Sequence, residues 1–210
     1  MDNRIYMAVL ALAALTAGCQ PPENQTMTAD SGVRPVLTGR RLPTAYVRSE
    51  DGELACMCQT ASLKPTVLVF YRGEWCKYCR EQLQQLETIR PELEQMGYQI
   101  VAISPDMPAK LRETKENLAL NFTLLSDSDM EAAKALGIAF RLDDETYDKY
   151  KAVYGFDIEQ WSGKNHHLLP HPAVYITGPG AVVRFEHVDP DYAERMSNDE
   201  VLAEAKKASL

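Results

Sequence analysis

Cys76 and Cys79 are spaced for redox chemistry, in the run Val67-Leu68-Val69-Phe70-Tyr71-Arg72-Gly73-Glu74-Trp75-Cys76-Lys77-Tyr78-Cys79-Arg80. Two thiols three residues apart on a helix are neighbours on one face. The second then reaches a mixed disulfide or an oxidised sulfur formed on the first. A C-x-x-C that opens a helix behind a buried strand reads as a redox pair. Two other uses of these residues stay open: an inert structural disulfide, and half of a zinc site completed by Cys56 and Cys58.

The flanking residues supply the elements that would hold the pair. Val67 to Tyr71 is an unbroken apolar, β-branched run, which suits a strand buried on both faces. Gly73 interrupts it and permits a tight turn. Beyond it, Cys79, Leu83, Leu86 and Ile89 recur at steps of three and four among Glu and Gln, the pattern of an amphipathic helix. Cys76 therefore opens the helix, where free N–H groups and the positive end of the dipole favour a thiolate. Lys77 and Arg72 add positive charge. This makes Cys76 the attacking thiol and Cys79, one turn in on the apolar side, the resolving one.

The rest of the chain alternates strand and helix. Strands are expected at 45–48, 98–103 and 122–125, and helices at 109–118, 144–154 and 198–207. Asp127-Ser128-Asp129 caps a further helix that Gly137 ends, and Arg90-Pro91 kinks the cysteine helix or starts a second segment. Residues 172–177 and 181–185 form a hairpin around Gly178-Pro179-Gly180. The stretch 138–169 reads as a long polar and aromatic insert, and 53–63 has no clear secondary structure. Such alternation predicts an α/β fold with a largely parallel sheet covered on both faces.

The segment VLVFYRGEWCKYCREQL resembles the active-site segment of the thioredoxin superfamily. It is most similar to the peroxiredoxin-like AhpC/TSA branch (alkyl hydroperoxide reductase C / thiol-specific antioxidant), which commonly shows F-Y-R-G-x-W-C-x-Y-C here. Residues 101–106, 168–176 and 188–192 look like further landmarks, and the resemblance spans about 42–206. It implies a thioredoxin-like fold: a central mixed, mainly parallel sheet with helices on both faces. It also implies a cis peptide before Pro172, His171 close to Cys76, and Trp75, His171 and Pro172 as substrate-binding residues.

Peroxide-reducing members of the branch usually carry Thr or Ser three residues before the attacking Cys and an Arg from a later strand. Here Gly73 and His171-Pro172 stand at those places. The resemblance thus ranks thiol–disulfide exchange with protein partners first and reduction of hydroperoxides second. A copper(I) or zinc delivery module using the cysteines and nearby His is a third reading. No cofactor is called for. Cys56-Met57-Cys58 is a candidate second redox pair, a resolving partner for Cys76, or two minor thiols.

At 210 residues and 45% hydrophobic content, the chain fits one domain with a sizeable core. Its net charge of −8 argues against a nucleic-acid partner. Residues 5–15 are almost wholly apolar and too short to span a bilayer, as in a secretory signal. Leu15-Thr16-Ala17-Gly18-Cys19 resembles a bacterial lipoprotein signal with Cys19 as the lipidated residue. Gln20, where an inner-membrane signal has Asp, points to the outer membrane facing the periplasm. The organisation expected is a signal peptide at 1–18, a flexible tether at 19–41 and the domain at 42–210. The protein would be held at the cell envelope by its lipid.

Overall fold

The computed structural model describes residues 34–209. The expected signal peptide, Cys19 and the first part of the tether lie outside the described residues.

The fold is built around β3 (Thr66–Phe70), all five residues of which are buried. Their side chains alternate between two cores, as the period of a strand requires. Val67, Val69 and Tyr71 face one core, and Leu68 and Phe70 face the other. On one side β3 pairs in parallel with β4 (Gln99–Ser104), which pairs in parallel with β5 (Thr123–Ser126). On the other it pairs antiparallel with β8 (Ala173–Gly178), which forms the expected hairpin with β9 (Val182–Val188). β1 (Tyr46–Arg48) and β2 (Leu54–Cys56) complete an order β2-β1-β5-β4-β3-β8-β9. The sheet is mixed, as expected. Its parallel pairings are confined to the central β3-β4-β5, because the hairpins at each end add antiparallel strands.

The core lined by Val67 and Val69 also holds Leu83, Leu86 and Leu93 of α2 (Lys77–Gln95) and Val201 and Ala205 of α7 (Asn198–Ala208). The opposite core holds Met57 and Ala61 of α1 (Met57–Leu63) and Ala132 and Ala133 of α4 (Glu131–Ala135). α2 runs unbroken through Pro91, where a kink or a new segment is expected from sequence. Pro91 removes one N–H from the helix ladder, and Arg90 braces the same turns by pairing with Glu87 at 2.9 Å and Glu94 at 2.7 Å. α4 is capped by Asp127, whose carboxylate accepts from the N–H groups of Ala132 at 3.0 Å and Ala133 at 2.9 Å.

The domain begins earlier than 42. Residues 34–41, expected as tether, bond to the fold: Arg34 N–H to Gly137 O at 3.0 Å, Val36 N–H to Leu136 O at 3.2 Å and Gly39 N–H to Val183 O at 2.8 Å. Gly137 permits this approach, since a Cβ there would lie 2.1 Å from the Arg34 oxygen. The insert carries structure of its own. After α3 (Pro108–Asn117) and α4 come β6 (Ala139–Arg141), α5 (Asp144–Tyr154), α6 (Ile158–Ser162) and β7 (Leu168–Pro170). β6 and β7 pair as a separate two-stranded sheet.

Candidate active site

β3 delivers the cysteines to the end of the sheet. Tyr71 N–H still bonds Ile103 O at 3.0 Å, and then the chain turns through Arg72 and Gly73, with Cys76 N–H on Gly73 O at 3.2 Å. Cys76 is the N-cap of α2 and Cys79 lies in its first turn, the arrangement expected from the spacing. Both are thiols in this structure. Cys76 is 6% exposed and Cys79 is fully buried.

Their environments push the two thiols apart. Cys76 is lowered to about 6, first by a hydrogen bond from the Cys79 side chain, against the opposing effect of burial. The Cys79 backbone and the charges of Arg72 and Arg195 pull in the same downward direction. Cys79 is pushed well up, chiefly by burial. Its sulfur accepts from Arg72 N–H at 3.4 Å and from Arg195 Nη2 at 3.5 Å. At pH 7 a thiol of pKa about 6 is roughly nine-tenths thiolate, the nucleophilic form. Cys79 stays protonated and donates to it.

Arg72 is 2% exposed, in a cage of aromatic rings. Its guanidinium carbon lies 5.1 Å from the Trp75 ring centre, 5.5 Å from Tyr150 and 4.7 Å from Tyr192. Arg72 Nη2 also donates to the Tyr150 hydroxyl at 2.6 Å. Trp75 packs in turn against Tyr150 at 5.9 Å and Phe156 at 5.5 Å. The insert thus supplies, through Tyr150 and Phe156, a wall beside the cysteines.

Gly73 is fixed by its surroundings. Its φ is +136°, and a Cβ there would fall 2.3 Å from Trp75 Nε1 and 2.8 Å from Asp106 Oδ1. The place where the resemblance calls for a Thr or Ser side chain is filled by an indole edge and a carboxyl group. Asp106 is 1% exposed, and burial pushes it up to about 8. Its Oδ2 accepts from Glu74 N–H at 3.3 Å, and its buried Oδ1 has no partner among the described residues.

The antiparallel register pairs Phe70 with Ala173, and continuing it sets Arg72 opposite His171. The His171 ring stacks on Phe140 at 4.4 Å. Burial, and then the Arg72 charge, hold its pKa down. A neutral imidazole leaves the task of supplying positive charge at this end of the sheet to Arg72 and Arg195. The expected cis peptide before Pro172 is not present: among the described residues no peptide bond is cis. The backbone on both sides is already engaged, with His171 N–H on Ile138 O at 2.8 Å and Asp189 N–H on Pro172 O at 3.1 Å. Little of it is left to pair with an incoming peptide.

Cys56 and Cys58 belong elsewhere. Cys58 packs against the core on the opposite face of the sheet from that of Cys76 and Cys79. The sheet separates the pairs, so they form neither a four-thiolate zinc site nor a resolving couple for Cys76. No cluster of three or more His, Cys, Asp or Glu suited to a metal occurs among the described residues. The two cysteine pairs therefore do not combine into one ligand set. Sequence reasoning misses Arg195, Asp106, Tyr150 and Tyr192 as site residues. Asp106 and Tyr192 show only as members of the landmark stretches 101–106 and 188–192, and Tyr150 only as one aromatic of the insert.

The model of the AhpC/TSA family matches residues 36–186. The chain belongs to the AhpC/TSA family. It is 29% identical over 106 residues to the peroxiredoxin Bcp of Escherichia coli K12, a match covering 50% of this chain and 67% of that one. It is 25% identical over 137 residues to the chloroplastic peroxiredoxin Q of Oryza sativa subsp. japonica, covering 62% of this chain and 63% of the other. Among solved structures, a peroxiredoxin-like protein from Aquifex aeolicus superposes with a TM-score of 0.60 at 20% identity, covering 84% of this chain and 90% of its own. Peroxiredoxin Q of Xanthomonas campestris gives 0.59 at 16% identity, covering 79% and 91%. These structures establish the thioredoxin-like fold of this AhpC/TSA member. The chain is an oxidoreductase acting through thiols.

Proposed function

We propose that this AhpC/TSA protein is a thiol peroxidase that reduces hydroperoxides, with Cys76 attacking and Cys79 resolving. The observation that carries the reading is the pair of adjacent thiols shifted in opposite directions beside two arginines. The Cys76 thiolate attacks the terminal oxygen of the hydroperoxide, the O–O bond breaks, and the departing alkoxide takes a proton as the alcohol. Cys76 is left as a sulfenic acid. Cys79 then attacks the Cys76 sulfur, water leaves, and a Cys76–Cys79 disulfide forms. A thiol reductant closes the cycle by exchange.

This reverses the order drawn from the resemblance and from the departures at Gly73 and His171. The peroxiredoxin relatives favour peroxide chemistry. Arg72 and Arg195 supply positive charge in place of the hydroxyl and the later-strand Arg. One such donor to the breaking O–O bond is typically worth about 3 kcal/mol, or roughly a hundredfold in rate. The backbone beside Pro172, which exchange with a protein partner would use, is already paired. Exchange remains the reductive half of the same cycle.

Lipid anchoring through Cys19, with the domain at the envelope, is proposed with it on the strength of residues 5–19. The test of the activity is hydrogen peroxide consumption with dithiothreitol as reductant. Turnover lost in Cys76→Ser supports the reading. Turnover unchanged in that variant overturns it.

A further inference from the structure

We propose that Cys56 and Cys58 form a second redox centre: a reversible disulfide that closes and opens by exchange with low-mass disulfides, independently of Cys76 and Cys79. The two sulfurs are 3.0 Å apart. The backbone holds them there from several sides. Cys56 ends β2 in register with Tyr46, and Met57 N–H bonds Ala45 O at 3.0 Å. The Met57 side chain is sunk in the core at 1% exposure, so the residue between the thiols acts as an anchor. Thr60 Oγ1 closes the first turn of α1 on Cys56 O at 3.1 Å. With Met57 pinned inward, its two neighbours are held close to each other, and little movement separates the contact from a bond.

Access is unequal, as a dithiol centre requires. Cys58 is half-buried and Cys56 is 5% exposed. Cys58 is therefore the entry sulfur. Its thiolate attacks one sulfur of a low-mass disulfide, the disulfide bond breaks, and one thiol leaves with a proton. Cys56 then attacks Cys58, the mixed disulfide breaks, and the second thiol leaves with a proton. Two protein thiols are oxidised and one disulfide is reduced to two thiols. Because the sheet lies between the pairs, neither dithiol passes its bond directly to the other within one molecule. The protein therefore carries two electron pairs that load and unload separately.

The sequence makes the test clean in the wild-type chain. Trypsin cutting after Arg48 and Arg72 leaves Cys56 and Cys58 on one peptide, whereas a cut after Lys77 separates Cys76 from Cys79. Reduced protein is equilibrated with excess oxidised glutathione, blocked with iodoacetamide, digested and weighed. The expected peptide 49–72 is unalkylated and lighter by two hydrogens, and dithiothreitol restores double alkylation. The same change is expected in a Cys76→Ser, Cys79→Ser double variant, which shows independence of the first pair. A doubly alkylated peptide, or glutathione retained on Cys58 without closure, overturns the proposal whatever happens at Cys76 and Cys79. Closure in wild type but not in the double variant overturns the claim of independence.

Discussion

Replacing Gly73 by Thr would put back the hydroxyl that peroxide-reducing members of the branch usually carry, and the structure predicts that it does damage instead. The backbone φ of +136° is one that L side chains rarely adopt, a strain of order 1–3 kcal/mol. The new Cβ would also fall within 2.3 Å of Trp75 Nε1 and 2.8 Å of Asp106 Oδ1. Relieving such overpacking typically costs another 1–3 kcal/mol, so the sum runs from about 2 to 6 with a middle value of about 4. For a domain of this size each kcal/mol moves Tm by roughly 2–4 °C, giving a fall of about 8–16 °C. Function suffers by the same route, because Gly73 O holds Cys76 N–H and Trp75 packs on the Arg72 cage. Scanning calorimetry of the reduced proteins and peroxide consumption are the assays, with Gly73→Ala separating the Cβ from the hydroxyl. Both variants should lose stability and activity. A Gly73→Thr protein of unchanged Tm and faster turnover would refute the reasoning.

Further outcomes follow from the same geometry. Alkylation of Cys76 by iodoacetamide should rise with pH around a midpoint near 6 and fall away below it as the thiolate takes up its proton, and Arg72→Met should move the midpoint upward. Asp106, at about 8 in the fold against roughly 3.9 in an unfolded chain, keeps a proton that the unfolded chain releases, so it draws stability down as pH rises through that window. Asp106→Asn should therefore raise Tm relative to wild type more at pH 8 than at pH 5, and an equal difference at both would remove this account of Asp106. Cys79→Ser should trap mixed disulfides on Cys76, whereas trapping only in Cys76→Ser would mean the roles are exchanged. Cys19→Ser should release the protein from the membrane fraction or leave an unprocessed precursor; unchanged fractionation and mass would end the lipoprotein proposal.

Some of this architecture is legible in the sequence because its signals are local. The run Val67 to Tyr71 and the three-four spacing of Cys79, Leu83 and Leu86 are contiguous, and they define β3, α2 and the position of Cys76. The hairpin of β8 and β9 announces itself through Gly178-Pro179-Gly180. Arg195 is different: it reaches Cys79 from 116 residues away, out of a loop with no periodicity, so only the folded sheet brings it there. β6, β7 and α6 are too short to imprint a pattern. Residues 34–41 join the fold through main-chain bonds and the packing of Val36, which so short and irregular a stretch does not advertise. Gly73 shows the limit most sharply, since its lack of a hydroxyl is visible in the sequence but the indole and carboxyl that replace one are not.

The central claim is that Cys76 is a thiolate poised against peroxide by Arg72, Arg195 and Cys79. Stopped-flow mixing of the fully reduced protein with hydrogen peroxide, followed through the fluorescence of Trp75 beside the reacting sulfur, tests it most directly. The account predicts oxidation about a hundredfold or more faster than that of an ordinary low-pKa thiol, retained on the first turnover in Cys79→Ser and absent in Cys76→Ser. A rate no better than that of an ordinary thiol, or a fast phase that survives Cys76→Ser, would contradict it.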